Sequence, residues 1–356
     1  MKKKIFLILS LFLINFLPNK VLAYTAVNLN RGECSGNFEL VNVTTSAINH
    51  VECYTSYNDA LNAMNNTGIE NGIPSIIYNN IFINSKYALV NLRTKSSMNY
   101  NTYMYDTETS SGQASYINGY YAADGALLSV YYTGNNYNTR ARVALSGLRQ
   151  YINKQEDNMT AYEIVPLTMV KSPNKYRSVN GSIVHYIAKE IGNANSYSSS
   201  YSLGPSPEYL KENTDYYSYD GNYFYTSLYD LIDDYRNSSH EKAVNKDNVY
   251  YNYYQYLPQR TKTNITSAEL DAYLRVEGKT ISNSKLYGQG HYFITSQNIY
   301  GINALISYGI SINESAKGSS NIAFNKNNVF GHGAYDYDPS GSSSAYSSVM
   351  YSIYYH

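Results

Sequence analysis

The sequence has no tryptophan and only two cysteines, and its 27 basic side chains are matched by 27 acidic ones. Zero formal charge without Lys/Arg clusters argues against a polyanion-binding surface, because nucleic-acid affinity rests on clustered cations that displace counterions; no nucleic-acid partner is expected. No Cys-x-x-Cys and no matching His spacing occur, so neither a thiol nucleophile nor a metal site is read from the cysteines, and no metal or other cofactor is expected. The apolar run at the start is shorter than the ~20 residues a membrane span needs, and no later segment approaches it, so no stable membrane insertion is expected. Acids are also sparse toward the end: between Glu277 and Asp336 the one carboxylate is Glu314.

What is present begins with a leader. Lys2, Lys3 and Lys4 precede an apolar stretch from Ile5 to Leu17 and a small-residue site at Val21-Leu22-Ala23. That is the pattern of a secretory signal peptide over residues 1–23, with export of a chain that starts at Tyr24. Cys34 and Cys53 then lie in the exported part, either as a disulfide, worth ~3 kcal/mol in the chain-entropy model, or as two thiols. The 44 tyrosines, with abundant Asn and Ser, suit polar rings such as sugars, though a codon bias would give the same composition.

Residues 24–168 read as a β-rich domain. IPSIIYNNIFI places Asn79-Asn80 between two β-branched runs, a hairpin signal, and KYALVNL, SYINGYY, ALLSVYY and ARVAL follow at strand length. A short helix around DALNAM starts near Ser56. From residue 169 the character shifts toward helices and polar loops. SIVHYIAKEIG has near-helical apolar spacing and stops at Gly192, Asp220-Gly221 signals a hairpin, and SLYDLIDDYR reads as a helix. Thr266 and Glu269 form a capping box, with Ile265 and Leu270 as its staple, so a helix starts at Ser267. A second helix ends before Gly301, and Asn303 caps a third that runs from Ala304 to about Ser315.

Glu314 ends that third helix beside apolar and uncharged neighbours. Apolar surroundings and the negative end of the helix dipole both favour a protonated carboxyl, which can act as a general acid toward a glycosidic oxygen. Gly309 in mid-helix leaves room for another backbone or a substrate to approach. NNVFGHGAYDYDP follows with amides, glycines, aromatics and two acids, the composition of a sugar cleft; Asp336 and Asp338 are the nearest partners for a second carboxylate. His332 has no second His nearby and reads as a loop hydrogen bond. Arg260 reads as a buried arginine paired with a carboxylate.

The order Glu314-Ser315, then Gly318 with Ser320, then Asn327-Asn328-Val329-Phe330-Gly331, then Tyr335-Asp336 resembles the core of the family 73 glycoside hydrolases, bacterial glucosaminidase autolysins that cut peptidoglycan. YYNYYQYLPQRTKTNIT and YGQGHYFITSQNIYGINAL are similar to clostridial members. The resemblance implies a mainly α, lysozyme-like (α+β) catalytic domain over residues 169–356, preceded by a small all-β SH3-like domain that binds the wall or acts as a spacer. It implies a secreted, wall-associated enzyme acting on peptidoglycan glycan strands, at the β-1,4 bond after N-acetylglucosamine. Glu314 would be the acid, Asp336 a second catalytic group, and Tyr335, Asn328, Phe330, Gly331 and Asp338 the sugar-facing loop. The rivals are a non-catalytic wall-binding protein and an enzyme that cuts the other glycosidic bond.

Two departures from that pattern occur. Ala316 stands where the family more often has Gly. Relatives also continue past the position of His356 through another helix and a Tyr-Ala-Ser/Thr-Asp-Pro segment, so the domain is expected to be incomplete at its C-terminus. A last helix from about Ala345 would then leave Tyr346, Val349, Ile353 and Tyr354 without cover. Nothing in the sequence indicates an oligomeric state.

Overall fold

The computed structural model describes residues 29, 33–92, 101–118, 124–134, 139–156 and 159–356; the leader read over residues 1–23 lies outside them. The described chain forms two compact units, divided between Tyr253 and Tyr254.

The first unit begins with strands β1 (Phe38–Val43) and β2 (Ile48–Tyr54), helix α1 (Tyr57–Asn66), and strands β3 (Ile73–Tyr78) and β4 (Ile81–Ser85), in the antiparallel order β2-β1-β3-β4. The β3–β4 hairpin is the one the sequence signals: Asn79 and Asn80 both take positive φ, 48° and 64°, and Tyr78 pairs with Ile81. Asparagine tolerates that region better than other side chains, which is why an Asn-Asn pair closes a two-residue turn. Period-2 alternation gives β1 two jobs. Phe38 and Leu40 pack with Ala60 and Met64 of α1, whereas Val41 and Val43 face a second core.

That second core is shared with a five-stranded sheet, ordered β10-β9-β8-β5-β13. The chain here runs through β5 (Ala88–Leu92), β6 (Asn101–Met104), β7 (Ser115–Asn118), β8 (Asp124–Tyr132), β9 (Thr139–Leu145), β10 (Leu148–Asn153), β11 (Gln155–Glu156), β12 (Met159–Thr160) and β13 (Tyr162–Pro166), of which β6–β7 and β11–β12 form two separate ribbons and the other five make the sheet. Each fully buried Val, Leu or Ile here contributes about 1.5–3 kcal/mol through removal from water. Then come β14 (Lys175–Val179), β15 (Ser182–Ala188), β16 (Tyr197–Pro205), β17 (Asp215–Tyr216) and helix α2 (Leu228–Arg236), whose Leu231, Ile232 and Tyr235 share a core with Leu89, Leu128 and Ala144 of the five-stranded sheet.

The mainly α, lysozyme-like class implied for residues 169–356 is therefore corrected. Antiparallel sheet continues through β17, and helices account for 25% of the described residues. SIVHYIAKEIG, expected as a helix, supplies β15 in the middle of the sheet ordered β16-β15-β14-β17. Its pairing with β16 shifts register at Ile183/Val184 and again at Ile187/Ala188. The extra residues at these shifts, Leu203 and Ser198, belong to β16, and β15 itself runs without interruption; the segment reads as a helix because the buried residues Ile183, Ile187, Ala188 and Ile191 fall near helical spacing. The Asp220-Gly221 turn forms, with Tyr217 and Tyr225 exchanging backbone bonds of 2.8 and 2.9 Å, but it carries a single bridge rather than two strands.

A short helix, α3 (Tyr253–Tyr256), lies at the division between the units. The second unit contains α4 (Ser267–Val276), α5 (Gly290–Tyr300), α6 (Ala304–Glu314), α7 (Asn321–Lys326), α8 (Pro339–Ser342) and α9 (Val349–Tyr355). Local chemistry sets its boundaries. Thr266 Oγ1 accepts from the Glu269 N–H while Glu269 Oε2 accepts from the Thr266 N–H, the reciprocal capping box. Gly301 ends α5 at φ 76°, and the Asn303 Oδ1 accepts from the N–H groups of Leu305 and Ile306 to start α6. A Cβ at Gly290 would come within 2.6 Å of the Ser267 carbonyl oxygen, so only glycine allows α5 to begin this close to α4. Leu270, Leu274, Phe293, Tyr308 and Val329 form the core. Val349 and Ile353 of α9 complete it, and the Tyr354 ring meets Tyr292 and Tyr300, so the expectation that these positions lack cover is corrected.

Candidate functional site

Glu314 is the last residue of α6, and its surroundings differ from those expected. The buried face of α6 is small and polar, made by Ala304, Ser307, Tyr308 and Ser311, with Leu305, Ile306, Ile310 and Ile312 half-buried at its sides. Glu314 is exposed, and its Oε1 accepts from Asn313 Nδ2 at 3.2 Å. It is not enclosed by apolar side chains, because the apolar residues before it flank the helix rather than cap its end. Gly309 is exposed as well, and a Cβ there would meet nothing within 4 Å, so no backbone packs over it.

The chain after Glu314 takes an uncommon path. Ala316, Lys317 and Gly318 all have positive φ, at 50°, 61° and 76°. For a residue with a Cβ the left-handed region costs roughly 1–2 kcal/mol, so two non-glycine residues there require support from outside. Support comes from Ser315, fully buried, whose Oγ donates to the Ser311 carbonyl at 2.5 Å and accepts from the Gly318 N–H at 2.8 Å. Ser284 Oγ donates to the Lys317 carbonyl at 2.7 Å, the Lys285 N–H donates to the Gly318 carbonyl, and the Lys317 ammonium pairs with the nearly buried Glu277 carboxylate. Ser320 then caps α7 through the Ala323 N–H. The small residues following Glu314 are thus a fixed turn. It sets the position from which the carboxylate reaches solvent.

The second group of sequence candidates belongs to the loop between α7 and α9. Asn328 is buried, with Nδ2 donating to the carbonyls of His332 and Ser344 and Oδ1 accepting from the N–H groups of Phe330 and His332. All of its amide capacity goes to the backbone, so it holds the loop instead of facing a sugar. Phe330 is also buried, its ring 3.9 Å from the His356 ring and nearly parallel to it. Gly331, at φ 69°, turns the chain between Asn328 and His332. His332 fills the loop role expected of it: Nδ1 and the Tyr346 hydroxyl lie 2.8 Å apart. Burial disfavours the charged imidazolium and lowers the pKa of His332; for His356 burial acts first and the nearby His332 adds to it.

Tyr335, Asp336, Tyr337 and Asp338 form a turn closed by the Asp338 N–H on the Tyr335 carbonyl at 3.0 Å. Asp336 is exposed, with no hydrogen-bond partner among the described residues. The rings of its sequence neighbours Tyr335 and Tyr337 are parallel, with centroids 5.8 Å apart. Asp338 accepts from the Gly341 N–H at 2.9 Å and caps α8, a structural duty in place of the sugar contact expected. The candidates therefore fall into two groups. Glu314, Tyr335 and Asp336 are presented to solvent, whereas Asn328, Phe330 and Asp338 build the loop. Among the described residues, no hydrogen bond links the Glu314 turn to the Tyr335–Asp338 turn.

Sequence reasoning missed a hollow of about 460 Å³ lined by Ala345, Tyr346, Ser347, Tyr351, Tyr354 and Tyr355. Tyr at 346, 351, 354 and 355 is consistent with one helical face and its flank, but a tyrosine-rich chain offers many such patterns. Arg260, expected to be buried against a carboxylate, is exposed and outside the ion pairs of the described residues. Cys34 and Cys53 are joined as a disulfide with their Cα atoms 5.6 Å apart, which resolves the two alternatives left open for them. No helix among the described residues is long and apolar enough to cross a membrane. No protein-family model matches the chain, and no curated protein matches it.

Proposed function

We propose that the chain hydrolyses the glycan strands of peptidoglycan at the β-1,4 bond after N-acetylglucosamine, with Glu314 as general acid. The observation that carries this reading is the turn after Glu314: three consecutive left-handed residues, two of them not glycine, locked by Ser315, Ser284 and the Lys317–Glu277 pair. Strained backbone that its surroundings over-determine marks places where position matters for function. Here the element so positioned is a single carboxylate at the open end of a helix. The order of residues from Glu-Ser to Phe-Gly to Tyr-Asp supports the same reading.

In this mechanism the Glu314 carboxyl delivers a proton to the oxygen leaving the anomeric carbon, and the bond breaks with oxocarbenium character. Water completes the hydrolysis on the opposite side. Asp336 is the carboxylate available to activate that water, with the substrate's own acetamido group as the alternative nucleophile; the inverting arrangement requires carboxyl groups roughly 6.5–9.5 Å apart once substrate is bound. Tyr335 and Tyr337 offer ring faces to a sugar. Export by the leader would deliver the enzyme to the wall. The test is to digest purified peptidoglycan, reduce the soluble products and identify their ends by mass spectrometry. Reduced N-acetylglucosamine ends are expected, and reduced muramic or anhydromuramic ends would replace this reading with cleavage of the other bond.

A second reading has its own observation. Tyr335, Tyr337, Tyr351 and Tyr355 are 58%, 85%, 54% and 73% exposed, a set of aromatic faces that binds glycan without cutting it. Sedimentation with walls and no product release would favour it.

A further inference from the structure

We propose that Cys34, Cys53 and His50 form a redox-gated binding site for a thiophilic divalent metal of the zinc class, closed in the disulfide form and opened by reduction. The two sulfurs and a ring nitrogen of His50 all lie within 4.8 Å of one another. Tetrahedral zinc, with Zn–S of about 2.3 Å and Zn–N of about 2.0–2.1 Å, needs donor atoms separated by roughly 3.5–4 Å, which the two thiolates reach by side-chain rotation once the S–S bond is broken.

The fold brings these residues together by a device that spacing along the sequence conceals. His50 and Cys53 are three apart on β2, and in a regular strand they would point to opposite faces. The β1–β2 pairing passes from Leu40↔Glu52 to Val41↔His50, so Val51 is an extra residue, and the bulge returns His50 to the face of Cys53. Cys53 pairs directly with Glu39, which lies on that same face two residues before Val41. Bulges re-aim side chains, and this one assembles Glu39, His50 and Cys53 at the sheet's edge strand.

The second observation is the orientation of the imidazole. His50 Nδ1 is 3.0 Å from Oε1 of Glu39, whose side chain is 4% exposed. A buried carboxylate on Nδ1 fixes the tautomer that leaves Nε2 with its lone pair for a metal, the pairing that metal-ligating histidines show. Three protein donors leave a fourth position for water or an outside ligand.

The chemistry balances with a dithiol as reductant. Its two thiols reduce the Cys34–Cys53 bond, giving two protein thiols and the oxidised cyclic dithiol. Binding of the divalent ion by both thiolates then releases two protons and leaves the metal–dithiolate unit neutral.

The test uses the full chain, reduced anaerobically with a phosphine that does not bind metal, and titrated with Co(II) and then Zn(II). One equivalent of Co(II) with thiolate-to-cobalt charge-transfer absorption is expected in the reduced chain and none in the oxidised chain, with Zn(II) displacing it. Glu39→Gln, which removes no ligand, should weaken Zn(II) binding by about 10–100-fold while the charge-transfer band persists. His50→Ala should change the cobalt ligand-field bands, and its disulfide form provides a folding control by circular dichroism. A reduced chain without charge-transfer absorption, or one whose ligand-field bands are the same with and without His50, would overturn the proposal.

Discussion

Gly318→Ala tests the fixed turn behind Glu314. Gly318 has φ 76°, and an added Cβ would lie 2.7 Å from both the Leu286 nitrogen and Ser284 Oγ. The left-handed conformation costs an alanine about 1–2 kcal/mol. Ser284 cannot yield freely, since its hydroxyl donates to the Lys317 carbonyl at 2.7 Å and accepts from the Leu286 N–H at 3.2 Å. Overpacking of that kind adds about 1–3 kcal/mol, for a total of about 2–5 kcal/mol. Gly301→Ala is the matched comparison, because Gly301 has the same φ of 76° and its Cβ would meet nothing within 4 Å. It should cost only the conformational part, about 1–2 kcal/mol. Urea unfolding of both variants, followed by helical ellipticity with the slope m held in common, reads the difference. Equal destabilisation by the two substitutions would refute the claim that Gly318 is required by its neighbours as well as by its φ.

Further outcomes follow from the same packing. Asp124 is fully buried, and desolvation raises its carboxyl from 3.8 to about 7 even though Tyr219 and Asn174 donate to it. A folded value above the unfolded one means that this contribution is complete below the unfolded value and is lost as pH rises through the folded one. Between pH ~4 and ~7 the unfolding free energy of the first unit should fall by about 4 kcal/mol, at about 1.36 kcal/mol per pH unit, and Asp124→Asn should remove that dependence in urea titrations. Asn328→Ala deprives four backbone groups of the loop of their partner, at about 1–3 kcal/mol for each left unsatisfied, and should make residues 331–338 a new site of limited proteolysis.

Much of the helical unit was legible because its determinants are local. The capping box at Thr266, the glycine stop at 301 and the asparagine cap at 303 each involve residues within four positions of one another. The Asn79-Asn80 hairpin is local in the same way. SIVHYIAKEIG was not legible, because what makes it a strand is pairing with β14 and β16, while its own buried apolar residues fall near helical spacing. At the site, position was legible and environment was not. Glu314 ends its helix where the spacing puts it, but its exposure depends on which flank of α6 the core covers. Asn328 read as a sugar contact because an amide toward a sugar and an amide toward a backbone carbonyl have the same sequence. The Cys34, His50 and Cys53 cluster was hidden by one extra residue, Val51.

The central claim is that Glu314 supplies the proton for glycosidic cleavage. The measurement is the release of reducing ends from purified peptidoglycan by the wild-type chain and by Glu314→Gln at equal wall occupancy, determined by co-sedimentation. Loss of one well-placed general acid should lower the rate by about 10²–10⁴-fold, with wall binding unchanged. Full release by Glu314→Gln, or no release by the wild-type chain while it sediments with walls, would contradict it.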